Sequence, residues 1–204
     1  VSSTPSSPSS SPRLSLICPT IGRSTFARLL KDVLYYIGPD DEFVVVGDGP
    51  CPNVREQIEA LADARFRYVE IPVRVSDWGC TPCDVGVQNA TGDMVWFVGD
   101  DDELQSHAFD VVRARVAGAT DKAHIFSMKH TGVLMGGSIA FCKVSGQQIV
   151  APRENLPKMA DYPFAEWYRT DWSFVTRTVD KFGGPIYHDE VICILPQMNQ
   201  GAML

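Results

Sequence analysis

The segment Gly79–Leu104, GCTPCDVGVQNATGDMVWFVGDDDEL, places a helix, a buried strand and an acidic run in immediate succession. Thr81-Pro82 reads as an N-cap followed by proline at the first helical position, and Gly92 ends the helix. Met94 to Val98 is an unbroken apolar run, the pattern of a strand covered on both faces. Gly99-Asp100-Asp101-Asp102-Glu103 follows directly. Consecutive carboxylates repel one another unless a cation sits among them, and hard oxygen ligands suit Mg²⁺ or Mn²⁺. The plainer alternative is a solvated acidic turn at the start of the next helix, where negative charge suits the helix dipole. An EF-hand is excluded, because the loop's glycine and closing glutamate are missing.

Upstream, the same strand–helix alternation repeats. Leu14 to Cys18 is a short buried-strand pattern closed by Pro19. Phe26, Leu29, Leu30, Val33, Leu34 and Ile37 fall on one helical stripe, with Ser24 or Thr25 as N-cap and Gly38-Pro39 as the stop. Phe43 to Val46 is a second buried strand, broken by Gly47-Asp48-Gly49-Pro50. Asn53 and Glu56 form a capping-box-like start for a helix carrying Val54, Ile58 and Leu61. Phe66 to Ile71 is the third strand. Downstream, the pattern predicts a helix through Val111–Val116, strands over Ala123–Met128 and Ser138–Lys143, an irregular Gly146–Thr170 segment, a helix over Trp172–Phe182 and a strand over Ile186–Leu195.

The order β-α-β-α-β-α-β defines an open α/β sheet with right-handed crossovers. Ligands in such sheets sit at the carboxyl ends of the strands. The polar groups there are Thr20 and Arg23 after the first strand, Asp48 after the second, Asp77 after the third and Asp100 to Asp102 after the fourth. Asp48 reads either as a turn residue in an Asp-Gly pair or as an acceptor for a base or sugar N–H or O–H.

Composition narrows the function classes. The chain has 204 residues, 18 Lys+Arg and 25 Asp+Glu, for a formal charge of −7. That balance disfavours generic nucleic-acid binding, which needs clustered cations. No apolar run approaches the length of a membrane span. Residues 1–12, VSSTPSSPSSSP, hold seven serines and three prolines and are expected to be a disordered tail. The six cysteines include one CxxC, Cys80 and Cys83, without a second pair at zinc-site spacing. They read as reduced thiols of a cytoplasmic protein, several of them core fillers.

Three blocks, LSLICPTIGR, FVVVGDGP and the Gly79–Leu104 segment, resemble in order the nucleotide-binding half of GT-A glycosyltransferases, family two in particular. Asp84-Val85-Gly86-Val87-Gln88-Asn89-Ala90-Thr91-Gly92 matches the register of the family's Arg-Asn-x-Gly element. Cys83 and Asp84 replace its Arg and Asn, and Gly99 stands where many members have the first Asp of the metal motif. The resemblance implies a single GT-A-like α/β domain with a mostly parallel sheet, its nucleotide-sugar-binding half at 13–104 and its acceptor half at 105–204. It implies a nucleotide-sugar donor, UDP-linked, contacted by Thr20, Arg23, Asp48, Asp84 and Asp100, with Mn²⁺ or Mg²⁺ on Asp101 and Asp102. A late histidine, His188, completes the metal site in some members.

Asp171 resembles the family's acidic element before a helix and is implied as the base that deprotonates the acceptor hydroxyl in an inverting transfer, although Thr170 replaces the usual acid beside it. Asp171 also reads as the N-cap of the helix that follows. Trp78, Trp167 and Trp172 are aromatics able to stack on a sugar or a base. Two other functions fit the same residues: a nucleotidyltransferase, which would carry a richer glycine loop after the first strand, and a nucleotide-sugar-binding module without turnover.

Overall fold

The computed structural model describes residues 11–136, 138–141, 143–161 and 167–196. The expected tail therefore lies almost wholly outside the described residues, as does Cys142. The chain folds as β1 (Leu14–Thr20), α1 (Phe26–Tyr36), β2 (Glu42–Asp48), α2 (Pro52–Glu59), β3 (Phe66–Ile71), α3 (Cys80–Asn89), β4 (Met94–Phe97), β5 (Glu103–Leu104), α4 (Ala108–Val116), β6 (Ala123–His130), β7 (Val133–Met135), β8 (Ile149–Pro152), α5 (Trp167–Phe182) and β9 (Pro185–Leu195).

One sheet takes the order β3-β2-β1-β4-β8-β6-β9-β5, with β7 paired to β6. The first four strands in that order are parallel, and β8 runs antiparallel to both β4 and β6. Alternate side chains of β1 enter opposite cores. Leu14, Leu16 and Cys18 pack with α1, α2 and α4, whereas Ile17 packs with α3 and α5. The result is a sheet between two helical layers, as an apolar parallel sheet requires.

Two buried acids fix the amino ends of the strands. Glu42 accepts from the Ser15 hydroxyl at 2.7 Å, from the Gly92 N–H at 3.0 Å and from the Thr91 N–H. Burial pushes this carboxyl upward, but those bonds hold it below the usual range. Asp41 accepts from the Leu14 N–H and from Arg113 of α4.

Close packing of α3 depends on one glycine. A Cβ at Gly86 would lie 2.3 Å from Ile17 Cγ2, inside the core. Gly86→Ala gains about 1 kcal/mol of helix propensity, yet overpacking costs roughly 1–3 kcal/mol. The expected outcome is a net fall in urea midpoint; a rise would show that α3 shifts freely.

Several expectations are corrected. Proline enters β1 instead of closing it, since Pro19 pairs in register with Val46 and the strand runs on to Thr20. Leu34 lies exposed at the edge of the α1 stripe. In α2 the N-cap is Cys51, with Pro52 at the first position, so Asn53 does not start the helix. In α3 the N-cap is Gly79, because the Asp77 carboxylate already takes the Thr81 N–H and hydroxyl at 3.0 and 2.6 Å. Ser138–Lys143 is not a strand over its described residues. A tight Thr131-Gly132 turn, both with positive φ, folds β7 onto β6 first and takes that edge. Neither β5 nor β8 is expected from the sequence.

Candidate active site

The carboxyl ends of β1 and β4 meet around Asp100. Asp100 is fully buried there. Its two oxygens accept from the Thr20 hydroxyl at 2.6 Å and the Arg23 guanidinium at 2.5 Å. Thr20, Arg23 and Asp100, three of the expected donor-site residues, are thus brought together, and Arg23 offsets the charge of Asp100.

The remaining aspartates fold back over Gly99. A Cβ on Gly99 would meet Asp101 Oδ1 at 2.9 Å and Asp102 Oδ2 at 3.3 Å. The glycine therefore leaves space that both carboxylates use. Asp102 Oδ2 accepts from the Gly99 N–H at 2.6 Å, while its Oδ1 is buried without a hydrogen-bond partner. Burial, with the charges of Asp101 and Asp100 added, pushes the Asp102 carboxyl up to about 8 against the Gly99 bond. Burial also raises Asp101, which Arg23 partly opposes. Arg28 of α1 clamps the loop from outside, donating to the Asp101 carbonyl at 2.9 Å and pairing with Glu103 at 2.8 Å. Nothing in the sequence singles out Arg28, which lies on the polar face of an amphipathic helix.

This loop suits a divalent cation held in a particular way. Among the described residues no three acidic, histidine or cysteine side chains converge on one point. An orphaned buried carboxylate oxygen beside a half-buried second carboxylate nevertheless offers hard ligands on one side. That matches cations bound by one or two carboxylates and completed by ligand phosphates. Asp101 and Asp102 are the residues that fit.

His188 does not belong to this site. β9 runs parallel to β6 and hence in the direction of β4, and His188 is its fourth residue. It faces His124, second in β6, at the opposite edge of the sheet. The β9 residue beside Glu103 is Ile194, six positions on, about 20 Å along the strand. The two imidazoles are nearly coplanar at 8°, and their 5.2 Å centroid separation is that of rings joined edge to edge by the 2.9 Å contact. His124 Nε2 lies 2.9 Å from the Ala119 carbonyl and so carries a proton. His124 Nδ1 is then the acceptor and His188 Nε2 the donor. The two nitrogens point at each other 2.9 Å apart across this hydrogen bond, which leaves no room for a metal between them.

Desolvation lowers both histidines, and His124 lowers His188 further against the opposing charges of Glu190 and Asp189. Their stabilisation is complete above the unfolded value of 6.5 and is lost as pH falls through 6.5 toward the lower folded values. The urea midpoint is expected to drop between about pH 7.5 and 5.5, and replacing both histidines by Phe should flatten that part of the drop. An identical pH response in the variant would remove the pair from the account.

Asp48 and Asp84 hold backbone. Asp48 accepts from the Val75 and Ser76 N–H groups at 2.6 and 3.0 Å, which pins the loop after β3. Asp84, expected at the donor, accepts from Met159 and Ala160 N–H at 2.7 and 2.9 Å. It ties α3 to the segment after β8.

Asp171 lies in the second turn of α5, which begins at Trp167, so it is not an N-cap. Its carboxylate accepts from the Ser145 hydroxyl at 2.9 Å and from the Gly146 N–H. Burial pushes it up to about 6 against those two bonds. Ser145 with Gln148 carries only a capping-box signature, which the short helical turn Gly146–Gln148 bears out and which does not point to Asp171. Cys80 and Cys83 are free and buried, and burial raises both thiols, Cys80 to about 12. The Trp167 side chain lies outside the described residues.

Residues 15–119 match the family model of Glycosyl transferase family 2, and the chain belongs to that family. The fold is the GT-A fold that the three sequence blocks imply. S. aureus TarS 1–349 in complex with UDP-GlcNAc superposes with TM-score 0.73 at 17% identity, over 94% of this chain and 60% of that one. The mannosyltransferase PcManGT from Pyrobaculum calidifontis, in complex with GDP-Man and Mn²⁺, superposes with TM-score 0.69 at 18% identity, over 94% and 59%. The chain spans 37% of a longer TarS structure. No curated protein matches it in sequence. Among the described residues no helix is long and apolar enough to cross a membrane.

Proposed function

We propose that this chain transfers a sugar from a nucleotide-sugar, UDP-linked, to an acceptor hydroxyl, with the donor half at 13–104 and the acceptor half at 105–204. The observation that carries this reading is the acidic loop at the carboxyl end of β4, where Gly99 leaves space for the Asp101 and Asp102 carboxylates and one buried oxygen lacks a partner. Neighbours of the same fold hold UDP-GlcNAc in one case and GDP-Man with Mn²⁺ in another.

In the transfer, the acceptor oxygen attacks the anomeric carbon, its proton passes to Asp171, and the bond from that carbon to the diphosphate oxygen breaks. Asp171 is suited to this because a carboxylate titrating near 6 is ionised at neutral pH yet basic enough to take a proton. A divalent cation on Asp101 and Asp102 would offset the charge that develops on the departing diphosphate. Arg23 and Thr20 hold Asp100 in place at the ribose side. The buried reduced thiols support a cytoplasmic setting.

The test is incubation with UDP-GlcNAc and with GDP-Man, with Mn²⁺ or Mg²⁺, following release of free nucleoside diphosphate. Cation-dependent release supports the reading. Release of pyrophosphate would favour a nucleotidyltransferase, and saturable donor binding with no release would favour a binding module.

A further inference from the structure

We propose that Trp78 is the stacking wall for the nucleotide base, held over the strand ends by a strained loop. The inference rests on the donor reading above and names how that site grips its ligand.

The loop joining β3 to α3 does not run free. Asp48 holds it at Val75 and Ser76. Gly49 passes so close that a Cβ there would lie 3.3 Å from the Arg74 nitrogen, and a Cβ on Gly79 would lie 3.1 Å from Pro19. The loop thus crosses the carboxyl ends of β2 and β1, with Trp78 next to the Pro19 contact. Asp77 fixes the backbone on the other side through Thr81.

Within this frame Ser76 has φ 59°, Trp78 φ 62° and Gly79 φ 84°. Left-handed backbone at a bulky residue is an outlier, and such strain gathers at ligand clamps. Glycine or asparagine would serve a turn alone without that strain. Trp78 is also 66% exposed, and Val73 and Val75 of the same loop are exposed with it. A large flat ring, exposed on a loop whose backbone is held by the buried Asp48, complements a ligand with an aromatic face and a polar edge. The base is the part of a nucleotide-sugar that has both. Asp48 ends β2 and Asp100 follows β4, two strand spacings apart with β1 between, or about 10 Å. That separation leaves the acidic loop to the diphosphate.

The full chain is titrated with UDP and, separately, with pyrophosphate in the presence of Mn²⁺, by calorimetry and tryptophan fluorescence. UDP is expected to quench wild-type fluorescence. Trp78→Phe should lose most of that quench while retaining affinity, and Trp78→Ala should weaken UDP by about 10- to 100-fold while leaving pyrophosphate unchanged. Trp78→Gly, which relieves the positive φ, should raise Tm yet still lose UDP affinity; a purely structural tryptophan would not separate the two. Trp78→Ala binding UDP like wild type, or losing UDP and pyrophosphate equally, overturns the inference and leaves the donor reading standing. A wild-type chain that binds no nucleoside diphosphate overturns both.

Discussion

Asp171→Asn is expected to lower kcat by about 10²- to 10⁴-fold, the usual worth of a positioned general base, while UDP affinity stays near wild type. The split follows from position. Asp171 lies on α5 against Ser145 and Gly146, and neither of those bonds reaches the Asp100 loop. Its pKa of about 6 places the acid limb. Because the base must be ionised, kcat should rise with pH up to about 6 and level off above it. Ser145→Ala removes a bond that lowers this pKa, so the limb should move to higher pH in that variant. Turnover retained in Asp171→Asn, or a limb that ignores Ser145, would take the base role away from this residue.

The second large effect concerns the cation. Asp101→Ala is expected to abolish the dependence of UDP affinity on Mn²⁺ and to reduce transfer by about 10²-fold or more. Asp102 needs a finer comparison, because it also accepts the Gly99 N–H. Asp102→Ala strips that buried donor of its partner, at a cost of about 1–3 kcal/mol, so stability and cation affinity fall together. Asp102→Asn keeps an acceptor for Gly99 and should lose cation affinity with little loss of stability. Gly99→Ala, whose methyl would crowd both carboxylates, should resemble Asp101→Ala in cation response. Mn²⁺ titration by calorimetry with UDP present, alongside urea unfolding, separates these outcomes; unchanged cation response in both Asp101→Ala and Asp102→Asn would contradict the assignment.

The site divides into parts of different legibility. Asp100, Thr20 and Arg23 are readable as strand-end polar groups, and they do meet. His188 misleads because a sequence gives no sheet order. Only the pairing of β9 with β6 places it at the amino edge beside His124. Asp84 misleads differently: it sits one turn into α3, but its partners, Met159 and Ala160, are 75 and 76 positions away. The N-cap reading of Asp171 fails because α5 already begins at Trp167, four residues earlier.

What the sequence by itself determined is the chain of local periodicities: buried strands, amphipathic helices and an acidic turn after β4, together with three blocks in a register that implied the family. Those are properties of neighbouring residues, whose apolar spacing alone selects strand or helix. Only the tertiary structure decided which distant groups share one small volume. Asp48 pinning the Trp78 loop, Ser145 holding Asp171 and Asp84 tying α3 to Met159 all depend on contacts closed by packing across many residues, and such contacts leave no periodic trace in the chain.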